Sequence, residues 1–451
     1  MANLNFNRQI KMTSHKAGFM TLLFLAGTFT KSLSQIQHAL GFVGMRSARV
    51  WIATDMEEPV GIAVSLPGSK APERIFKSNT IAQNGYSCII DIEGLEPGTT
   101  YLYRPFIDVA SGYASARKYT LTTQELWQFR KEAPDFRLAV GSCAFVNEPS
   151  YDRPGEPYGG EFQIFDTIVK KDPDLMLWLG DNIYLREVDF QSYGSIVHRY
   201  SHTRTQKEIQ NLLHHCPNLA IWDDHDFGPN DSNGSFVHKD WTLDAFKAFW
   251  PNPSYGLGQS DSGKGITTQF QYSDIDFFLL DNRFHRTWRD TIGNTAPTIL
   301  GNTQLNWLLQ ALKQSQAPFK LIAIGGQFLN SAAVYENYAN YEEERSLIIN
   351  AIEKENIRGV VFLTGDRHCG ELSFMPLKDN NGIYDLTVSP LTSKAFDMSK
   401  EENNWRVDNT ISSVRHFAKL EFTGKRKHRV LTINVFNSNG QPIWSKDIPQ
   451  W

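Results

Sequence analysis

The chain is poor in several things at once. Its 451 residues include only 4 cysteines, its net charge is only −4, and no run after the first 30 residues is long and apolar enough for a membrane helix. The small net charge excludes the basic footprint that long nucleic acid requires, because phosphate contacts need Lys and Arg. The one basic cluster, Gly424–Arg429 (GKRKHR), lies between two strand-like runs and reads as a hairpin turn. No internal repeat recurs, which excludes a solenoid or a blade array. No low-complexity segment is present, and 41% hydrophobic with 21% charged residues is the composition of a globular protein. The length suits one large or two ordinary domains. The 11 tryptophans, as in WPNP and NWLL, read as core and loop anchors.

What is there begins with a leader. Arg8, Lys11 and Lys16 precede the apolar run Gly18–Phe29, too short to span a bilayer comfortably. Ser32 and Ser34 stand at the −3 and −1 positions of a cut after Ser34. The pattern predicts a signal peptide over 1–34 and an exported protein, periplasmic or secreted. No cysteine sits near the cut to take a lipid anchor. An exported protein can pair its cysteines. Cys88, in the strand-like YSCIIDI, reads as core; Cys369 could pair with Cys216, stand behind the site, or be inert.

Residues 35–125 read as short strands (ARVWIAT, VGIAVSL, YSCIIDI, TYLYRPFI) separated by turns such as LPGS and LEPGTT. This predicts a small β-sandwich of fibronectin or Ig type. From 136 to 451 apolar strands alternate with amphipathic helices, around Glu161–Lys171, Asn302–Gln314 and Tyr341–Glu355. The strands FRLAV, LMLWL, LAIW, FFLL, KLIAI and GVVFL are apolar throughout, as in a sheet covered on both faces. The fold class is α/β, with C-terminal strands over 417–451 completing a sheet.

Each of these six strands ends in polar residues: Gly141-Ser142-Cys143, Gly180-Asp181-Asn182-Ile183-Tyr184, Asp223-Asp224-His225-Asp226, Asp281-Asn282-Arg283, Gly325-Gly326-Gln327 and Thr364-Gly365-Asp366-Arg367-His368. Ligands bind α/β sheets at the carboxyl ends of strands. Thiolate and phenolate suit a trivalent or soft transition metal, and carboxylates and amide oxygens suit a harder ion such as Ca2+. Four aspartates in IWDDHDFGPNDSNG repel one another unless something positive offsets them. Asp224 therefore reads as facing metal, and His225 as reaching the substrate. The HHC of His214–Cys216 has no carboxylate neighbours and is not read as a metal site. Asn230 or Asp231 could serve Ca2+, although turn chemistry explains them equally well.

In order, GSC, LGDNIY, WDDHDFGPND, LLDNRFHR, LGNTQLNWL and LTGDRHCGE resemble the PhoD-like alkaline phosphatase/phosphodiesterase family, a branch of the metallophosphatases, over roughly residues 38 to 420. The resemblance implies a four-layer αββα sandwich behind the N-terminal β-sandwich, and a site holding Fe3+ and Ca2+, or other divalent metals. It implies that Cys143 and Tyr184 ligate iron, that Asp181 bridges the metals, and that Asp224, Asp366 and His368 complete the ligand set. His225 would contact phosphate and protonate the leaving group. Arg283 and Arg286 either clamp phosphate or pair with Asp281 to brace the fold. Gln327 stands where related phosphatases use a histidine. A C-terminal helix that covers the site in some of the family is not evident here.

The expected function is an exported, metal-dependent hydrolase of phosphate esters, in which water activated by metal attacks phosphorus. The substrate is a small-molecule, lipid or sugar ester; nucleic acid is not expected, and oligomeric state is not legible. The alternatives are a phospholipase D-like phosphodiesterase, a sulfatase or nuclease on the same scaffold, and a non-catalytic exported protein with a structural metal.

Overall fold

Eight short strands occupy the amino-terminal part: β1 (Gln37–Val43), β2 (Ser47–Ala53), β3 (Pro59–Ser65), β4 (Arg74–Asn79), β5 (Ser87–Glu93), β6 (Thr100–Val109), β7 (Gly112–Ser115) and β8 (Tyr119–Thr122). They are seen in a computed structural model that describes residues 36–109, 112–115, 117–293 and 296–450. The leader expected at 1–34 lies outside the described residues. One sheet runs β1-β2-β5; the other runs β4-β3-β6-β7, with β8 also on β6. Alternate side chains of both, among them Val50, Ile52, Ile90 and Ile92 with Val60, Ile62, Val64 and Tyr103, share one apolar core.

The remainder alternates: β9 (Phe136–Gly141), α1 (Gln163–Lys170), β10 (Leu175–Leu179), α2 (Tyr193–Arg204), α3 (Lys207–His215), β11 (Asn218–Ile221), α4 (Asp224–Phe227), α5 (Lys239–Phe249), β12 (Thr268–Tyr272), β13 (Ile275–Leu279), α6 (Gly301–Gln314), β14 (Lys320–Ala323), α7 (Glu342–Lys354), β15 (Val360–Thr364), β16 (Gly370–Pro376), β17 (Gly382–Val388), β18 (His416–Thr423), β19 (Val430–Asn437) and β20 (Pro442–Pro449). Two six-stranded sheets result, β11-β10-β9-β18-β19-β20 and β12-β13-β14-β15-β17-β16. Within them β9, β10 and β11 are parallel, as are β13, β14, β15 and β17. Their carboxyl ends therefore gather along one edge of each sheet.

The period of two along a strand builds the layers. Leu321 and Ala323 of β14 and Val361 and Leu363 of β15 point into the core shared with Leu138, Leu177 and Leu420 of the first sheet. Their neighbours Ile322, Val360 and Phe362 point the other way, onto Leu305, Leu308 and Leu312 of α6 and Ile348 and Ile352 of α7. Ile164 and Ile168 of α1 and Ile209 and Leu212 of α3 join the first core. The order is helix, sheet, sheet, helix, and every residue of β10, β11, β13, β14 and β15 is buried. The C-terminal strands β18, β19 and β20 extend the first sheet. The described residues form one compact unit, the sandwich keeping its own core. At its junction a Cβ on Gly41 would fall 2.2 Å from Pro251, and Arg49 donates to the Asn252 carbonyl at 2.5 Å.

Candidate metal centre

The strand ends bring most of the expected ligands together. Cys143 follows β9 and Asp181 follows β10; the Cys143 thiol donates to Asp181 Oδ2 at 3.4 Å. The Tyr184 hydroxyl donates to the same oxygen at 3.1 Å and lies 3.2 Å from His368 Nε2. His368 Nδ1 is 2.8 Å from the Lys394 carbonyl, which can only accept. Nδ1 therefore carries the proton, and Nε2 keeps a lone pair facing Tyr184 and the cluster. Metal-ligating atoms of Cys143, Asp181 and His368 lie within 4.8 Å of one another, as do those of Asp181, Asp224 and His225. Asp181 belongs to both of these groups, and a third group, Asp223, Asp224 and Glu336, shares Asp224 with the second.

The backbone shows how tightly these positions are held. Cys143, Asp181, Asp366 and His368 sit at φ of 59, 50, 64 and 53°, the left-handed region that a side chain with a Cβ adopts at a cost. Hydrogen bonds sustain them. Ser389, just past β17, donates to Cys143 Sγ at 3.1 Å and accepts from the His368 backbone N–H at 2.8 Å. Ser393 donates to the Tyr184 hydroxyl at 3.0 Å.

The aspartate-rich stretch divides its labour. Asp223 and Asp226 form a capping box on the single turn of α4, and Asp226 also accepts from the Asn182 backbone N–H at 3.2 Å. Asp224 Oδ2 accepts from the Asp231 backbone N–H at 2.8 Å, while Oδ1 is buried without a hydrogen-bond donor. His225 donates its backbone N–H to Asp181 Oδ1 at 3.3 Å, and its ring lies 4.3 Å from that of Tyr184. Its side chain is 23% exposed where that of Asp224 is 3%, so among these two it is the histidine that meets solvent.

The electrostatics call for a cation. Burial pushes the Asp181 carboxyl well up, and Asp224, Asp223, Asp226 and Asp366 push it further. Burial and Asp181 raise the Cys143 thiol; burial, Asp181 and Cys143 raise the Tyr184 phenol. Burial lowers His368 to about 4, keeping it neutral. Burial opposes ionisation of Asp224, but His225, Arg283 and the Asp231 N–H outweigh it and hold that group below the usual range. A buried acceptor without a donor costs about 1–3 kcal/mol, and both Asp223 Oδ2 and Asp224 Oδ1 are in that state. A thiol, a phenol, carboxylates and a neutral imidazole converging on such oxygens fit metal ions.

Other expected residues fall elsewhere. Arg283 is a correction to the phosphate-clamp reading. Its guanidinium is wholly buried; Nε donates to Asp223 at 2.6 Å, Nη1 to Glu336 at 2.8 Å and to the Ser232 carbonyl at 3.1 Å, and Nη2 pairs with Asp223 and Glu336. It braces the loop, with Asp224 Oδ1 3.7 Å from Nη2. Arg286 joins through Glu336 at 2.8 Å and Tyr341 at 3.1 Å. The Asp366 carboxylate is in none of the three ligand groups; its backbone carbonyl is 3.8 Å from Cys143 Sγ. Gln327 bonds Glu371, Thr387, Asn330 and Arg367 in a separate buried network. All four cysteines are free, which removes the Cys216–Cys369 pairing. Sequence reasoning missed Glu336, Ser389 and Ser393. Ser389 and Ser393 follow a strand that the strand-end rule would have reached; Glu336 lies in a loop without a motif.

Alkaline phosphatase D of Bacillus subtilis is 24% identical over 331 residues, 63% of this chain and 53% of that protein, so the chain spans about half the length of that curated relative. A solved structure of PhoD superposes with a TM-score of 0.73 at 18% identity over 91% of both chains. A purple acid phosphatase from yellow lupin (Lupinus luteus) seeds superposes with 0.67 at 13% identity, over 92% of this chain and 74% of that one. These likenesses show the fold, and the match to the family described as PhoD-like phosphatase runs over residues 138–435, which include every expected ligand: the chain belongs to that family.

Proposed function

We propose that the chain is a metal-dependent phosphoesterase, exported from the cell, that hydrolyses mono- or diesters of phosphate. In this reading residues 136–451 carry the chemistry and 35–125 form the accompanying sandwich. Cys143, Tyr184, Asp181 and His368 would hold Fe3+, and Asp181 and Asp224 would serve Ca2+, with Asp366 assigned there by the family resemblance alone. The observation that carries it is Asp181: one buried carboxylate shared by two groups of ligand atoms, as a bridging ligand requires.

Bound cations would polarise the phosphoryl oxygens and lower the pKa of water, so that a nucleophile forms near neutral pH. The chain's own groups do the rest. Ser389 and Ser393 fix the thiol and phenol. Lys394 fixes the His368 tautomer. Arg283, held by Glu336, keeps the Asp223–Asp224 turn in place. His225, beside Tyr184 and open to solvent, places a proton at the leaving oxygen.

The test is hydrolysis of p-nitrophenyl phosphate and bis-p-nitrophenyl phosphate with and without chelator. Release of p-nitrophenol from either, abolished by chelator and restored by metal, is the expected result, and the preferred ester assigns the class. Metal-loaded protein that cleaves neither would refute the reading.

A further inference from the structure

Two exposed aromatic rings flank the turn that carries Asp366 and His368. The loop 331–337 crosses the carboxyl end of β14, where a Cβ on Gly326 would lie 3.1 Å from the Glu336 carbonyl oxygen. Within it Glu336 turns inward to Arg283 and Arg286, and Tyr335 turns outward with 67% of its surface exposed. Tyr335 holds φ at 47°, a conformation costly for a bulky residue. Its ring has one face taken: the Arg367 guanidinium carbon lies 5.1 Å from the ring centroid. Arg367 is itself pinned by Asn337 of the same loop at 2.8 Å and by Glu401 at 2.6 Å.

Phe396 contacts the same turn through His368. Its backbone N–H donates to the His368 carbonyl at 2.9 Å. Its ring stacks on the His368 imidazole, centroids 5.7 Å apart and planes within 13°. It is 39% exposed. Each ring is thus held by a residue of the 366–368 turn and keeps part of its surface in solvent, the Phe396 ring with the Lys394 ammonium 5.9 Å from its centroid. Fold stability gains little from an exposed ring in a strained backbone, and strain of this kind collects at functional sites. Isolated flat faces backed by polar groups suit stacking of one ring on another better than burial of an alkyl chain, which needs a continuous apolar groove.

We propose that Tyr335 and Phe396 form an aromatic platform at the mouth of the site, selecting phosphate esters whose organic group carries a flat aromatic ring. This rests on the phosphoesterase reading above and adds a substrate class to it.

The test uses two unreactive phosphonates as competitive inhibitors, so that leaving-group chemistry drops out. Phenylphosphonate should inhibit the metal-loaded enzyme about fivefold more tightly than methylphosphonate, the effect of one aromatic contact. That ratio should fall to about one in Tyr335→Ala with Phe396→Ala, while inhibition by methylphosphonate stays unchanged. Tyr335→Phe should restore it in the Phe396 background, which a merely structural loss would not do. Equal inhibition of the wild type by both phosphonates, or a ratio unmoved in the double variant, would overturn the platform and leave the phosphoesterase reading standing. Absence of any ester hydrolysis would instead overturn that reading, and the platform with it.

Discussion

Asp224 and His225 are chain neighbours with different fates. Asp224 is buried with one oxygen lacking a donor, and His225 reaches solvent. Replacing His225 by Ala should leave bound metal intact and lower turnover on a poor leaving group by about 10²–10⁴-fold, the usual worth of a positioned acid. On p-nitrophenyl esters, whose leaving group needs little protonation, the loss should be smaller. Full activity on an alkyl ester would remove the acid role. Cys143→Ser changes one atom of a buried side chain, and should reduce iron content with the fold kept; unchanged iron would show that the thiolate is not a ligand. The Asp-rich motif singled out Asp224 and His225. It did not show that Asp223 and Asp226 cap the turn, because capping depends on φ and ψ. Nor could sequence place Arg283: whether a guanidinium faces a ligand or a buried carboxylate depends on a loop some 50 residues away, the one that brings Glu336.

At the scale of elements, the edges of strands and the loops between them make most of the site. The strands themselves were legible because an all-apolar run of four or five residues has few other solutions. The loop carrying Glu336 was not, because it has no hydrophobic period. Glu336→Gln should leave the buried Arg286 without its carboxylate partner, while Arg283 keeps Asp223, at a cost of about 3–5 kcal/mol, read as a lower urea midpoint; an unchanged midpoint would show that the pair is dispensable. A second test belongs to β18. His416 is buried and burial lowers it to about 4, with Nδ1 bonded to the Val414 carbonyl at 2.7 Å. The folded chain excludes a proton that the unfolded chain binds below about 6.5. Its contribution is therefore intact above that pH and is lost as pH falls towards 4. Relative to His416→Gln, the wild type should lose about 2 kcal/mol of unfolding free energy between pH 7.5 and pH 5. A pH-independent difference would contradict the burial of a neutral ring.

For the whole molecule, the two sheets with helices on either side and the sandwich in front follow from two sequence signals: short alternating strands before residue 125 and apolar strands alternating with helices after 136. The sequence could not show that the two regions pack as one unit. Their junction rests on close approaches such as Gly41 against Pro251 and on His38 stacked on His214 at 4.0 Å, contacts between residues far apart in the chain. The central claim is that one buried carboxylate, Asp181, joins two metal ions. The most direct measurement is elemental analysis of the purified wild type and of Asp181→Asn, with ester hydrolysis measured on the same samples. The wild type should carry iron and a second metal with chelator-sensitive turnover, and Asp181→Asn should lose metal and turnover together while remaining folded by circular dichroism. Full metal content and activity in Asp181→Asn would contradict the account.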